Sequence, residues 1–163
     1  MASKGTPATA LLARRKVSFT LHEYHVEPGS GSYGAGAAAA LGVEPGRVFK
    51  TLVAEVDGRL TVGVVPVTGS LSLKALAAAA GGKRATMAEP AQAERATGYV
   101  TGGISPFGQR KKVRVFIERA ALEADSARSA DTVIVNGGRR GLQIELAPAD
   151  LMRLLAATAA DLS

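Results

Sequence analysis

The amino-acid sequence predicts a single α+β domain built on a mixed sheet. The chain has 163 residues, 47% of them hydrophobic, which suffices for one buried core and leaves no room for a second full domain, so one domain over 1–163 is expected. Short β-branched runs are interspersed with Ala- and Leu-rich amphipathic segments. A two-residue Asp57-Gly58 turn between two such runs indicates antiparallel pairing rather than repeated βαβ units.

The helices are predicted from their start and stop signals, which are capping residues, Pro at the first helical position and Gly after the last. These signals predict helices over 8–16 after Thr6-Pro7, from Gly34 to Leu41 before Gly42, from Ser70 or Ser72 to Gly81-Gly82, from Glu89-Pro90 to Gly98, and a terminal one from Pro148 through Leu151, Leu154 and Leu155.

The strands are predicted from β-branched or alternating runs. They fall at 18–25, 48–56, 59–65, 113–118, 132–135 and 142–146. The hairpin around Asp57-Gly58 is the strongest local signal, because this dipeptide tolerates the positive φ angles of a tight hairpin turn.

Composition excludes several function classes. The chain contains no cysteine, which removes disulfides, thiolate zinc sites, iron–sulfur clusters and a thiol nucleophile on the protein. Twenty Lys and Arg against fourteen Asp and Glu give a net charge of +6, which favours an anionic partner, with nucleic acid first. Aromatic residues are only 4% of the chain, so binding should depend on charge and backbone rather than on base stacking.

The location and the cofactors follow from absences in the sequence. The first residues have no apolar core of signal-peptide length, and no apolar run is long enough to span a membrane. A cytoplasmic protein without a membrane partner is therefore expected. His22 and His25 lie three apart in a strand and point to opposite faces, so they cannot chelate one ion together and are expected to be surface or satisfied residues. No metal or cofactor is predicted.

Lys50 interrupts an apolar strand. It shares one face with Val48 and Leu52, where a cation is costly unless an anionic group meets it. Two interpretations are open from the spacing alone, namely an edge-strand lysine that extends to solvent and an ammonium that faces a ligand.

Two glycine-rich segments are candidate ligand cradles. Gly102-Gly103 allows a ligand to approach backbone N–H groups, which can donate to an oxyanion or a phosphate, although a simple tight turn is equally compatible with the sequence. Asn136 begins a second such segment, Asn136-Gly137-Gly138-Arg139-Arg140-Gly141, which is either a turn with exposed arginines or a second cradle.

Clusters of basic residues follow or belong to these two segments. They comprise Arg110, Lys111, Lys112 and Arg114 after the first segment, and Arg139 and Arg140 in the second. Such clusters are usually solvated surface. A phosphate chain held by the first cluster would lie beside the Gly102-Gly103 segment, which favours a nucleic-acid end as the partner.

Three motifs in this order resemble the YbaK/EbsC family and the related editing domain of bacterial prolyl-tRNA synthetases. They are Val48-Phe49-Lys50-Thr51-Leu52, the run from Gly98 to Gln109 with Gly102-Gly103-Ile104-Ser105-Pro106 at its centre, and the run from Gly137 to Leu146. The likeness spans nearly the whole chain and is greatest to the free-standing Cys-tRNA(Pro) deacylase branch. It implies a mostly antiparallel, curved sheet flanked by helices.

The resemblance implies an enzyme that removes mischarged amino acids from tRNA. The expected substrate is Cys-tRNA(Pro), together with Cys-tRNA(Cys), and prolyl-tRNA synthetase is an expected partner. The alternatives are a deacylase for Ala- or another small aminoacyl-tRNA(Pro), and a noncatalytic module that binds the tRNA acceptor or a synthetase. The attacking group is the substrate's own thiol, a water or a ribose hydroxyl; cyclisation by the thiol would make the enzyme formally a lyase.

The resemblance also implies residue roles. Lys50 corresponds to the family's essential lysine, and the backbone of Gly102 would line the aminoacyl pocket. The expected substrate-binding residues are Tyr24, Tyr33, Thr51, Gly103, Ile104, Ser105, Asn136 and Gln143, and the expected tRNA-binding residues are Arg110, Lys111, Lys112, Arg139 and Arg140. Asn136 stands where serine is common, Gln143 where aspartate is common, and Tyr33 where phenylalanine is common.

Overall fold

The computed structural model describes residues 5–25, 38–43, 45–122 and 132–163. Its helices and strands are interspersed along the chain, which confirms the predicted α+β class. In chain order they are α1 (Pro7–Arg14), β1 (Thr20–Glu23), β2 (Phe49–Val56), β3 (Arg59–Pro66), α2 (Leu73–Ala79), β4 (Ala85–Met87), α3 (Pro90–Thr97), β5 (Arg114–Glu118), β6 (Val133–Asn136), β7 (Leu142–Leu146), α4 (Pro148–Leu155) and β8 (Thr158–Ala160).

The strands divide between two sheets. The larger sheet has the order β4-β2-β3-β5-β8 and the smaller the order β1-β7-β6. Pairing is antiparallel except between β3 and β5 and between β5 and β8, so the expected mixed and mostly antiparallel pairing is confirmed. Within the described residues one isolated bridge, Val48 with Ile134, connects the two sheets. The sequence predicted one sheet, and this prediction was wrong. No local sequence pattern shows which strands belong to the same sheet.

The hairpin of β2 and β3 forms as predicted. Its turn residues Asp57 and Gly58 have φ angles of 49° and 82°, which are the positive values that such a turn requires. The Asp57 carboxylate also accepts hydrogen bonds from the backbone N–H groups of Lys83 and Arg84, both at 3.0 Å. The turn therefore fixes the hairpin and positions the chain that leads into β4.

The helices begin and end near the predicted signals. Thr6 and Thr9 form a capping box at the start of α1, Ser72 rather than Ser70 caps α2, and Gly98 ends α3 in the left-handed region. Of the helix predicted from Gly34 to Leu41, residues 38–41 are helical and the rest lies outside the described residues. These local signals were sufficient because each one satisfies backbone groups that the helix itself leaves unpaired.

The short edge strands were not predicted. β4 and β8 have three residues each, too few to establish a period, and they exist because they pair with β2 and β5. The first strand is shorter than its predicted range and mostly exposed. Edge strands of this kind depend on their partners more than on their own sequence.

The apolar core lies on both faces of the larger sheet. Phe49 and Val53 of β2 enter one cluster, which also contains Leu12 of α1, while Ala54 and Val56 enter another with Leu76 of α2. This division follows from the period of two along a strand. Because β2 is packed on both sides, the position of its side chains is well determined.

Candidate active site

A cavity of about 430 Å³ lies along the first half of β2. At Val48 the strand bridges to β6, and from Ala54 onward it pairs with β4. Between these points the edge of β2 opposite β3 has no strand partner in the described part of the chain. The cavity occupies this gap, so side chains from both faces of β2 line it. The lining residues are Val48, Phe49, Lys50, Thr51, Leu52, Val53, Val67, Met87, Ala88, Pro90, Ala93, Thr101, Gly102, Ile104, Asn136 and Gln143.

Lys50 is partly exposed at the cavity wall, on the same face of β2 as Val48 and Leu52. It stands opposite Val65 of β3. Its ammonium makes no hydrogen bond or ion pair with any residue that the structure describes. Of the two interpretations left open by the sequence, the geometry favours the ammonium that faces a ligand, because the partly exposed Lys50 side chain lines the cleft.

Two buried acceptors beside Lys50 are also without partners. The hydroxyl oxygen of Thr51 and the side-chain oxygen Oε1 of Gln143 have no hydrogen bond to any residue that the structure describes, although the two residues are only 8% and 4% exposed. Buried polar atoms are nearly always paired in folded proteins. In the cavity wall these two atoms are available to a polar ligand or to water.

The main chain of Thr51 adds polar groups to the same wall. The carbonyl of Val53 accepts a hydrogen bond from Ala88 N–H at 3.1 Å, on the side of β2 away from β3. In an antiparallel strand, alternate residues point their N–H and C=O groups to the same side. The N–H and C=O of Thr51 therefore point toward the gap that the cavity fills.

Tyr24 does not line the cavity, but its hydroxyl bonds the side-chain amide of Gln143, which does. Gln143 Nε2 donates to the Tyr24 hydroxyl at 3.4 Å, which leaves Oε1 for a ligand. Burial raises the pKa of Tyr24, and the hydrogen bond from Gln143 opposes this rise. Tyr24 is thus a neutral phenol that orients the amide.

Asn136 lines the cavity but its amide serves a turn. Its Oδ1 accepts from Gly138 N–H at 2.6 Å, and its Nδ2 donates to the Arg139 carbonyl at 3.2 Å. The residue therefore shapes the second glycine segment. Tyr33 lies outside the described residues.

The two glycine segments are in direct contact. A Cβ on Gly103 would lie 2.8 Å from Arg139 Cα, so only glycine permits this approach. Gly102 and Ile104 line the cavity, whereas Gly103 is buried against the second segment. The structure does not bring Ser105 into the cavity: it is fully buried, and its hydroxyl accepts from Phe107 N–H at 3.2 Å.

The start of α1 joins both segments. The Thr6 hydroxyl donates to the Gly137 carbonyl at 2.5 Å, and Gly108 packs so closely that an added Cβ would lie 2.7 Å from the Pro7 carbonyl carbon. The Tyr99 hydroxyl donates to the Phe107 carbonyl at 2.6 Å. Burial raises the pKa of Tyr99 to about 12, so this phenol keeps its proton.

The predicted basic residues surround the segments but differ in their contacts. Arg110, Lys111 and Lys112 are exposed, and the backbone N–H groups of Arg110 and Lys111 bond the end of α3. Arg139 faces Glu23 at 3.6 Å. Arg114 is engaged within the fold, since its guanidinium donates to Thr61 and Ala80.

Arg140 and Glu94 each bond the main chain of Thr101, and sequence reasoning missed both contacts. Arg140 Nη2 donates to the Thr101 carbonyl at 3.0 Å, and the Glu94 carboxylate accepts from the Thr101 N–H at 2.8 Å. Glu94 lies on α3, and a glutamate on a helix is usually a solvated surface residue, so no sequence pattern distinguishes it. Met87, Ala88 and Pro90 were also missed as lining residues, because β4 was not predicted.

His22 is a satisfied strand residue, as expected. Its Nε2 lies 2.7 Å from Glu145 Oε1, and Glu145 also accepts from Thr132 and Arg47 at 2.6 and 3.1 Å. The Thr132 hydroxyl is the main cause of the lowered pKa of Glu145. In the described part of the chain no group of three or more His, Asp or Glu side chains could hold a metal ion. No described helix has the length and apolarity needed to cross a bilayer.

Comparison with known proteins gives this site a context. A model of the aminoacyl-tRNA editing domain matches residues 31–154. EbsC of Enterococcus faecalis, provisionally named a Cys-tRNA(Pro)/Cys-tRNA(Cys) deacylase, is 36% identical over 91% of this chain and 87% of its own length. The multifunctional Ser/Thr-tRNA deacylase ProXp-y of Escherichia coli strain K12 is 28% identical over 69% of this chain and 67% of its own length.

The solved structures agree on the fold. The crystal structure of a provisionally named trans-editing enzyme for prolyl tRNA synthetase superposes with a TM-score of 0.80 at 23% identity, covering 99% of both chains. Fold and cavity together define a protein with a mostly apolar cleft that carries one cation and a few polar groups, lined by residues of both sheets. The chain belongs to the aminoacyl-tRNA editing domain family. The predicted class of function, an aminoacyl-tRNA deacylase, is thereby confirmed.

Proposed function

We propose that this chain removes cysteine mischarged onto tRNA(Pro), acting in the cytoplasm beside prolyl-tRNA synthetase with residues 1–163 as one catalytic unit. The observation that carries the proposal is the Lys50 ammonium, which has no partner among the described residues, in a cavity wall where the buried Thr51 hydroxyl and Gln143 Oε1 also have none. The name of EbsC supports cysteine as the amino acid.

The proposed reaction needs positioning and charge stabilisation more than a protein nucleophile. An aminoacyl ester is already activated, so the site must orient it and stabilise the negative charge that develops on its carbonyl oxygen. Lys50 and the Gly102 N–H are the donors for this charge. The attacking thiol, water or ribose hydroxyl forms a bond to the carbonyl carbon and gives up its proton, the bond between that carbon and the ester oxygen of the ribose breaks, and the released oxygen takes up a proton.

The remaining polar groups would bind the aminoacyl part. Thr51 Oγ1 and Gln143 Oε1 are acceptors, and they suit donors such as an ammonium, a hydroxyl or a thiol. The cations Arg110, Lys111, Lys112 and Arg139 would bind phosphates of the tRNA end. No residue in the described cavity wall is a conventional nucleophile activated by a base, which is compatible with attack by the substrate thiol or by water.

The test is a deacylation assay with Cys-, Ala- and Ser-tRNA(Pro), in the wild type and in a Lys50→Ala variant. Cys-tRNA(Pro) should be hydrolysed fastest. Lys50→Ala should lower the rate by about 10² to 10³, the usual cost of losing one oxyanion donor, while tRNA affinity changes little. Lys74→Ala, which removes an exposed lysine of α2, is the matched control and should retain the wild-type rate.

Each result separates the alternatives. Ala differs from Cys only by the thiol, so equal rates on Cys- and Ala-tRNA(Pro) would contradict attack by the substrate thiol. Faster hydrolysis of Ser-tRNA would favour a second candidate, the Ser/Thr specificity that the Escherichia coli relative suggests. A wild type that binds tRNA but hydrolyses none of the esters would refute the enzyme proposal in favour of a binding module.

A further inference from the structure

The Thr101-Gly102 peptide of the first glycine segment is held from outside the cavity. Arg140 Nη2 donates to the Thr101 carbonyl at 3.0 Å, and the Glu94 carboxylate accepts from the Thr101 N–H at 2.8 Å. Neither Glu94 nor Arg140 is among the cavity-lining residues. The two charged side chains therefore act on the main chain of the segment rather than on the cavity itself.

Residues 100–103 form a β-turn whose central peptide has two possible orientations. Gly103 N–H donates to the Val100 carbonyl at 2.8 Å, and Gly102, the third residue of the turn, has a φ of 92°. This is the type II form, which requires a positive φ at that position. The type I form of the same turn is reached by rotating the Thr101-Gly102 peptide by about 180°.

The observed orientation determines where the Gly102 N–H points. In a trans peptide the carbonyl and the N–H point in opposite directions. Arg140, which does not line the cavity, binds the Thr101 carbonyl, so the Gly102 N–H points away from Arg140, and Gly102 itself lines the cavity. Among the described residues this N–H has no acceptor. A rotated peptide would present a carbonyl oxygen to the cavity instead.

We infer that Arg140 and Glu94 are positioning residues: Arg140 holds the Thr101-Gly102 peptide and Glu94 the preceding Val100-Thr101 peptide, so that the Gly102 N–H faces the scissile carbonyl. This inference rests on the proposed function. It assigns Arg140 to the peptide that supplies the donor, whereas the sequence predicted only a phosphate contact for it. Glu94 complements Arg140, because its carboxylate accepts from the N–H of Thr101 while Arg140 donates to the carbonyl of Thr101.

The electrostatics of Glu94 agree with this role. The Thr101 N–H is the main cause of a lowered pKa of the Glu94 carboxyl, and the charge of Arg140 lowers it further. The carboxylate is therefore ionised at neutral pH, which is the form that accepts a hydrogen bond.

The experiment measures the single-turnover rate constant at saturating enzyme, with Cys-tRNA(Pro) and separately with Ser-tRNA, and the Kd for uncharged tRNA. Arg140→Ala and Glu94→Ala should each lower the rate constant about 10- to 100-fold, the scale of misplacing one catalytic group. Arg140→Lys and Glu94→Gln keep a donor and an acceptor, so they should restore most of the loss. Arg95→Ala and Glu89→Ala remove exposed charges of the same region and are the controls for each charge change.

Two comparisons separate positioning from binding. Arg139→Ala removes a neighbouring guanidinium that bonds Glu23 instead of Thr101, so it should weaken tRNA binding with a much smaller effect on the rate constant. The double variant Glu94→Ala/Arg140→Ala should lose little more than the larger single loss, because both residues fix the backbone of the same residue, Thr101. If Arg140→Ala only raises the Kd for tRNA, or if the two losses multiply, the inference is wrong while the proposed function stands.

A second measurement does not depend on activity. The Gly102 amide resonance in a ¹H–¹⁵N spectrum should shift or broaden in Arg140→Ala and remain in place in Arg95→Ala. An unchanged Gly102 resonance in Arg140→Ala overturns the inference, whatever the enzyme hydrolyses. A wild type that hydrolyses no aminoacyl-tRNA removes the proposed function and the positioning role together.

Discussion

At the scale of single residues, the cavity wall contains polar atoms that folding alone does not satisfy. The Thr51 hydroxyl and Gln143 Oε1 are buried with no partner in the part of the chain that the structure describes, and leaving such a group unsatisfied costs about 1–3 kcal/mol. The ligand-free protein is destabilised by these unsatisfied atoms, and a ligand that donates hydrogen bonds to them removes the destabilisation. Stability and binding should therefore respond in opposite directions to their removal.

Thr51→Val tests this opposition. The isosteric change should raise the free energy of unfolding by about 1 kcal/mol, because it removes an unpaired hydroxyl, and should lower kcat/KM for deacylation. Urea unfolding and the deacylation assay measure the two effects. Thr61→Val on the neighbouring strand is the control: its buried hydroxyl donates to the Arg59 carbonyl and accepts from Arg114, both at 3.1 Å, so its loss should destabilise. A similar loss of stability in both variants would contradict the assignment.

The sequence anticipated part of this residue-level arrangement. Lys50 was singled out because a cation in an apolar strand face is unusual, and the structure places it at the cavity with Thr51 and Gln143. Ser105, by contrast, was expected at the substrate and is buried in its own turn. Glu94 was missed entirely, because its importance depends on where α3 ends relative to residue 101, and that relation is tertiary.

At the scale of elements, close contact between the glycine segments sets the form of the cavity. Gly103 lies against the backbone of Arg139 and Arg140, a contact between parts of the chain that are far apart in sequence. The hairpin turn and the helix caps were predictable because their signals are local. The division of strands between two sheets, and with it the gap that becomes the cavity, was not predictable, since it depends on pairings formed only in the folded chain.

Gly103→Ala should separate the two segments. The added methyl group would lie 2.8–2.9 Å from backbone atoms of Arg139 and Arg140, which cannot move aside as a flexible side chain would. We expect a loss of about 1–3 kcal/mol in unfolding free energy and a fall in kcat of at least about tenfold.

The control for this change is Gly46→Ala. Gly46 precedes β2, has no positive φ and has open space where a Cβ would stand, so its substitution should leave the unfolding free energy nearly unchanged. Thermal unfolding and the deacylation rate report both effects. Wild-type behaviour of Gly103→Ala would show that the segments tolerate separation.

At the scale of the whole molecule, the net charge of +6 should make tRNA binding depend on salt. The logarithm of the association constant should fall with that of the salt concentration, with a slope of about −0.7 to −0.9 per neutralised phosphate. The exposed Arg110 and Lys111 are expected to contribute two phosphate contacts, so Arg110→Ala/Lys111→Ala should reduce the slope by roughly 1.4 to 1.8.

The matched control removes two positive charges elsewhere. Arg119 and Arg153 are exposed and paired with Asp161 and Asp150 at 3.3 and 3.0 Å, so Arg119→Ala/Arg153→Ala should leave the slope near its wild-type value. Equal reductions in both double variants would mean that only the overall charge matters, and would contradict a defined path for the phosphates.

The capped beginning of α1 has a practical consequence. Thr6 bonds Gly137 of the second glycine segment, and Pro7 packs against Gly108, which follows the first. These two neighbouring residues therefore connect the two segments that border the cleft. A purified preparation in which this stretch is cleaved, or displaced by an affinity tag, would lose these contacts while every group that contacts substrate is intact. Inactivity in such a sample would then report on how the protein was made rather than on its chemistry.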